Sequence, residues 1–258
     1  MIDVVAYQER IGYRGPLEPT LPVLRALHLA HLRAVPFENL DIHLGRPIVL
    51  DERRLFDKIV RRRRGGFCDE LNGLFAALLR EIGFAVTLLG AQYPRDDGTP
   101  TPELDHLTLL VRCEKRDEPL LADVGAGRTS FAYPLSTGVA QEQAQPDVGA
   151  TSRLLPERDA CRLWRREPGA AWEREYRFTW RLRHLADLAE GCHFHQTSPH
   201  SHFPRKRLAT LLTPEGRVTL SELRLITTVA GTRTERELPD EATVQAALRT
   251  MFDLDLDP

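Results

Sequence analysis

Arg64-Gly65-Gly66-Phe67-Cys68 runs directly into an apolar stripe at Leu71, Leu74, Phe75, Leu78, Leu79 and Ile82. That 3.6-residue spacing predicts a half-buried helix beginning near Cys68 and stopping near Gly83. Two glycines before the helix let the backbone turn sharply and approach another surface closely. Cys68 then stands at a helix start, beside unpaired backbone N–H groups and the positive end of the macrodipole. Such surroundings favour thiolate over thiol, and the thiolate is the nucleophile.

Upstream, the chain reads as helical. Leu21, Leu24, Leu27 and Leu32 mark a helix from Leu21 to Ala34, entered through Thr20 and Pro22 and ended by Pro36. Asp51 is placed to cap another helix carrying Leu55, Phe56 and Ile59. Downstream the pattern changes to short apolar runs between turn-rich segments. Strands are predicted over 84–92, 107–112, 120–124 and 176–182, and the same texture continues over 216–228. A last helix is predicted over 241–251, and 137–151 reads as a surface loop.

A thiol nucleophile needs a base, and the base needs an orienting group. Asp105-His106 opens one strand and Asp123 closes the next. A hairpin centred between Glu114 and Lys115 would set His106 directly opposite Asp123, whereas a slip of two residues would separate them by roughly 7 Å. Each residue also has a plainer reading. Cys68 alone can be a small core residue, His106 a structural histidine, and Asp123 a turn residue before Val124-Gly125.

The motifs together resemble the arylamine N-acetyltransferase family. The resemblance rests on Val35-Pro36-Phe37-Glu38-Asn39-Leu40, Phe56-Asp57-Lys58-Ile59-Val60, and Arg64 to Cys68 with Glu70 and Asn72. Asp105-His106-Leu107, Asp123-Val124-Gly125-Ala126-Gly127, residues 197–203 and Thr213-Pro214-Glu215-Gly216-Arg217 extend it along most of the chain. It implies an α+β fold: a helical bundle over 1–84 carrying Cys68, a β-barrel over 85–190 carrying His106 and Asp123, and an α/β lid over 191–258, with a cysteine-protease-like core. It also implies a ping-pong cycle in which acetyl-CoA, a co-substrate rather than a bound cofactor, acylates Cys68 and an arylamine, hydrazine or N-hydroxyarylamine takes the acetyl group. By the same resemblance Phe37 lines the acceptor pocket, Ala126 widens it where phenylalanine is common, and Gly125 and Gly127 lie near the donor. Asp69 departs from the aromatic or bulky residue usual there, and is expected to face outward on the first helical turn. The C-terminal end is somewhat short for the family. Macrolactam-forming amide synthases of ansamycin pathways resemble the same family; that alternative needs an acyl carrier protein as donor partner.

Composition narrows the field further. The 258 residues are 42% hydrophobic and 28% charged with a net charge of -2, which argues against a bulk preference for nucleic acid or anionic membrane. Met1 to Glu9 lack the basic flank and apolar core of a signal peptide, and no apolar run reaches membrane-spanning length. Cys68, Cys113, Cys161 and Cys192 are too sparse for a disulfide scaffold, so a cytoplasmic protein with reduced thiols is expected. Cys192, His193, His195, His200 and His202 form the other conspicuous cluster, but its Thr-Ser-Pro context reads as a loop and no metal is expected. Arg61 to Arg64 read as a solvated helix end, or else as an anion site for CoA phosphates or an acidic carrier. A binding protein that keeps these residues without turnover is the remaining class, and loss of the nucleophile, its simplest sign, is not seen.

Overall fold

Pro22 sits in the first turn of its helix, where a missing N–H leaves nothing unpaired. In the computed structural model, which describes residues 1–95 and 97–256, this helix runs Leu21–Ala34 (α2). It follows a short helix, Val4–Ile11 (α1), capped by the Asp3 carboxylate accepting from the Ala6 N–H. Next come Phe37–Glu38 (β1), Leu40–His43 (α3) and Glu52–Phe56 (α4), the last capped by Asp51 accepting from the N–H groups of Arg53 and Arg54. A π-helical turn, Asp57–Arg61, continues α4. Cys68–Ile82 (α5) ends at Gly83, whose φ of 105° suits glycine. Gly65 lies so close to β1 that a Cβ there would stand 2.1 Å from the Pro36 carbonyl oxygen, which is the close approach the sequence predicts.

The expectation of a half-buried α5 is corrected. Every residue from Cys68 through Leu79 is buried, including Asp69, Glu70 and Asn72. The helix packs against α1, α4 and the strands that follow it in the chain, so it threads the protein rather than bordering it.

The strands Ala85–Gln92 (β2), His106–Arg112 (β3), Leu120–Ala122 (β4), Leu135–Ser136 (β5), Gln143–Gln145 (β6), Ala150–Pro156 (β7), Ala160–Arg166 (β8) and Glu173–Arg183 (β9) form one antiparallel sheet. Its order is β5-β4-β3-β2-β9-β8-β7-β6. The two ends curl together into a nearly closed barrel, and side chains finish the seam. Gln143 accepts from the Ser136 N–H at 2.8 Å and donates to the Ser136 carbonyl at 3.0 Å; Gln145 does the same for Tyr133 at 2.8 and 3.2 Å. The predicted loop over 137–151 therefore carries β6, a 3-10 turn at Pro146–Val148 and the start of β7. Its polar side chains replace the backbone ladder that an apolar pattern would have announced. Gln145 is itself 2% exposed, and removing its amide leaves the N–H and carbonyl of Tyr133 without these partners. Gln145→Ala is expected to cost about 2 kcal/mol, roughly 5 °C in thermal midpoint for a chain of this size. An unchanged melting curve would mean that water takes over both contacts.

The remaining strands, Leu208–Thr213 (β10), Gly216–Ser221 (β11), Arg224–Val229 (β12) and Thr232–Glu237 (β13), add to β1 in a second antiparallel sheet ordered β1-β10-β11-β12-β13. The run read over 216–228 is a hairpin, turned at Glu222 with φ of 55°. Ala189–Thr197 (α6) precedes this sheet, and Glu241–Phe252 (α7), capped by Asp240, lays Val244, Leu248 and Phe252 against Val218, Leu220 and Leu225. Among the described residues no helix is long and apolar enough to cross a membrane.

Candidate active site

β3 and β4 pair with Leu109 opposite Ala122 and Val111 opposite Leu120, two residues away from the register that would put His106 opposite Asp123. The contact forms nonetheless: His106 Nε2 lies 2.7 Å from Asp123 Oδ2. β4 ends at Ala122, so Asp123 leaves the ladder, and the imidazole spans the diagonal that remains within reach of a long side chain.

Asp123 is fully buried, and its two oxygens meet four donors. Oδ1 accepts from Asn72 Nδ2 at 2.8 Å and the Gly125 N–H at 2.9 Å; Oδ2 accepts from His106 and from the Tyr176 hydroxyl at 2.8 Å. Burial disfavours the carboxylate, but the His106 ring and these hydrogen bonds outweigh it and hold the carboxyl below its ordinary range. Burial likewise disfavours a charged His106, and Asp123, Asp69 and Asp105 outweigh it, lifting the ring above its ordinary value. With Nε2 committed to Asp123, Nδ1 is the ring's remaining basic atom. Behind the pair, the Asp123 N–H donates to His28 Nε2 at 3.1 Å, which leaves His28 Nδ1–H to donate to the Ala132 carbonyl at 3.0 Å. Burial lowers His28 to about 4 and keeps it the neutral acceptor this arrangement needs.

Tyr176 and His28 escape sequence reasoning, because neither stands in a local pattern that marks it. Asn72 had a signal, four residues after Cys68 and so on the same helix face. Its Oδ1 accepts from the Val124 N–H at 2.9 Å, tying α5 to the segment after β4.

Cys68 opens into a cavity of about 260 Å³ whose walls include Phe37, His106, Gly125, Ala126 and Gly127. Gly125 packs directly on the nucleophile's backbone: a Cβ there would meet Cys68 Cα at 2.7 Å. Tyr93, Asp105, His195, His202 and Phe203 also line it, together with the exposed Arg128. Two expectations about the cysteine are corrected. Asp69 does not face outward; it is fully buried, and Cys68 Sγ donates to its Oδ1 at 3.5 Å. The surroundings do not favour the thiolate on balance either. Burial, then the carboxylates of Asp69 and Asp105, push the Cys68 thiol well up from its ordinary value, and a hydrogen bond from the Leu107 backbone only partly opposes them.

A family model described as N-acetyltransferase matches residues 20–258. The chain belongs to the arylamine N-acetyltransferase family. An arylamine N-acetyltransferase / N-hydroxyarylamine O-acetyltransferase of Salmonella typhimurium is 36% identical over 251 residues, 96% of this chain and 88% of that protein. The structure of arylamine N-acetyltransferase from M. tuberculosis superposes with a TM-score of 0.92 at 34% identity, covering 98% of this chain and 94% of the other. That of Mycobacterium marinum arylamine N-acetyltransferase in complex with CoA gives 0.89 at 34% identity, covering 97% and 92%. The α+β architecture of helices, barrel-like sheet and cysteine-protease-like core is thus that of the arylamine N-acetyltransferases.

In this N-acetyltransferase the arginine run divides. Arg61, Arg62 and Arg63 are exposed, over Phe56, beside Asp57 and beside Asp253 respectively. Arg64 is buried and forms ion pairs with Glu38 and Asp41, both at 2.9 Å. That arginine is a structural cation, neither a solvated helix end nor an anion site. The histidine cluster also divides. Cys192, His193 and His195 ride on α6 rather than in a loop, so the imidazoles of His193 and His195 lie on different faces. His195 is buried with Nε2 at 3.4 Å from Asp105 Oδ1, and among the described residues no group of three or more such side chains is set to hold a metal ion.

Proposed function

We propose that this chain moves an acetyl group from acetyl-CoA, through a thioester on Cys68, to the nitrogen of an arylamine, hydrazine or N-hydroxyarylamine. The observation that carries this reading is the buried His106–Asp123 pair, whose histidine lines the same cavity as a cysteine at a helix start. Asp123 fixes the ring with its proton on Nε2, and Nδ1 takes the Cys68 proton as sulfur attacks the thioester carbonyl. The tetrahedral oxyanion forms beside the free N–H groups of the first turn of α5. It collapses with loss of CoA, whose sulfur leaves with the proton from His106. The acceptor nitrogen then attacks the acetyl-cysteine; His106 removes the amine proton and returns it to Cys68, restoring the thiol. Acetyl-CoA is consumed as a co-substrate, and the cycle needs no resident cofactor.

Phe37 and Ala126 are assigned to the acceptor, and Gly125 and Gly127 to the acyl donor. Residues 1–84 supply the nucleophile, 85–190 the histidine and aspartate, and 191–258 the lid. The four cysteines are all free, which is in keeping with a cytoplasmic enzyme. A cavity of about 260 Å³ suits a small aromatic acceptor better than the long acyl chain that an amide synthase closes on itself.

The test is the intact mass of the protein after incubation with acetyl-CoA, with Cys68→Ala as control. One added acetyl group is expected on the native chain and none on the variant, which keeps its fold and loses all turnover. No adduct, with or without an aromatic amine, would move the assignment to a carrier-bound donor and the amide synthase reaction.

A further inference from the structure

The cavity beside Cys68 is walled largely by carbon: Phe37, Ala126, Phe203 and Leu208 supply apolar surface, and the imidazoles of His106, His195 and His202 line it too. Among the described residues, Asp105 is the one carboxylate in that lining. It immediately precedes β3 and is therefore held next to His106. Its side chain is 16% exposed, with Oδ1 at 3.4 Å from His195 Nε2. Among the described residues, Oδ2 has no hydrogen-bond partner and no lysine or arginine pairs with the carboxylate. The histidines do not supply the missing cation. His106 Nε2 is committed to Asp123. The His195 Nε2–H donates to the Asp105 backbone carbonyl at 3.2 Å, Ser201 Oγ lies 3.4 Å from Nδ1, and burial holds the ring below its ordinary value. Burial, then His195, lowers His202 as well. A carboxylate left without a fixed partner in an apolar wall interacts most strongly with a ligand that brings the donor. Arg128 offers the opposite charge to the same space, but it is exposed and screened by water, whereas Asp105 acts from a drier wall.

Resting on the assignment of this cavity to the acceptor, we propose that Asp105 is a specificity-determining residue that selects aromatic acceptors carrying, besides the nucleophilic nitrogen, a second group that is cationic and donates hydrogen bonds, such as an amidinium. Asp105 Oδ2 accepts from that group while the aromatic ring packs against Phe37 and Phe203. An acceptor whose second group is a carboxylate meets Asp105 charge against charge and is disfavoured.

The experiment compares benzamidine, benzamide and benzoate, which share one shape and differ in charge. It reads by mass how well each protects Cys68 from iodoacetamide in the native chain, Asp105→Asn and Asp105→Ser, with a melting curve for each protein. Benzamidine is expected to protect at about tenfold lower concentration than benzamide, the scale of one charge-assisted hydrogen bond, and benzoate to protect least. Both substitutions are expected to bring benzamidine and benzamide within about twofold of each other. They leave the backbone carbonyl that accepts from His195 in place. Turnover is expected to split in the same way. In Asp105→Asn, kcat/KM for 4-aminobenzamidine relative to 4-aminobenzamide falls about tenfold, whereas a purely structural aspartate would lower both alike. A preference for benzamidine that survives in folded Asp105→Asn overturns the proposal. If both variants misfold, the order on the native chain decides: benzamidine ahead supports the proposal, and benzamide or benzoate level with it or ahead overturns it. Protection needs no acyl donor, so these outcomes are independent of whether acetyl-CoA acylates Cys68.

Discussion

Asp123→Asn is expected to lower kcat/KM for acetyl transfer roughly ten-thousandfold, the scale seen when the orienting aspartate of a nucleophile–histidine pair is made neutral. The reason lies in the donor inventory. All four partners of the carboxylate, Asn72 Nδ2, the Gly125 N–H, His106 Nε2 and the Tyr176 hydroxyl, are donors in the native arrangement. An amide supplies one oxygen and one NH2, so one side of the carboxylate position must present hydrogen to hydrogen. If the NH2 faces His106, the ring answers by putting its proton on Nδ1, and the atom that should take the Cys68 proton is blocked. If it faces Asn72 and Gly125, the segment after β4 that lines the cavity is displaced. The rate of acetyl-cysteine formation, quenched and read by mass, separates these from a defect in the second half-reaction. A loss smaller than about tenfold would remove Asp123 from the orienting role.

Lys58→Met should cost 3–5 kcal/mol of folding stability, about the penalty for breaking a buried ion pair from one side. Lys58 is 6% exposed, and its Nζ lies 2.7 Å from Glu70 Oε1 and 2.9 Å from Asp41 Oδ2. The cluster joins three carboxylates, Glu38, Asp41 and Glu70, to two cations, Lys58 and Arg64. Removing one cation leaves three carboxylates around a single guanidinium. Glu70 is the member that matters to the site, because its Oε2 accepts from the Phe67 N–H at 3.2 Å at the threshold of α5. Urea unfolding measures the loss. Lys58→Met combined with Glu70→Gln should recover part of it, since the second change removes one stranded charge. If the single variant unfolds at the native midpoint, the network is not holding the helix start.

Much of this was legible because it is local. The bounds of α2, the Asp51 cap, the glycine approach at 65–66 and the last helix follow from spacing and capping within a few turns. The His106–Asp123 pair was legible as chemistry but not as register. Lys115 adopts a positive φ of 57°, which moves the centre of the hairpin one residue on, and nothing in a polar turn announces that. The reading of Asp69 failed for a different reason. Helical periodicity tells which face is apolar, but not that a second layer covers the other face. The first turn of α5 is enclosed by β3 and α6, elements that arrive 35 or more residues later. Tyr176 and His28 are likewise brought to Asp123 by the closure of the barrel and the packing of α2, and no motif around either foretells it.

The pairing of β1 with β10 bears on how the protein comes off the ribosome. Phe37 and Glu38 are held on one side by Gly66, close in sequence, and on the other by Thr210 and Ala209. The first contact can form early in synthesis. The second waits until residue 210 has left the exit tunnel, and it closes a loop so long that its entropy makes it a late event. Until then the nascent chain carries an open strand edge at the wall of its own cavity.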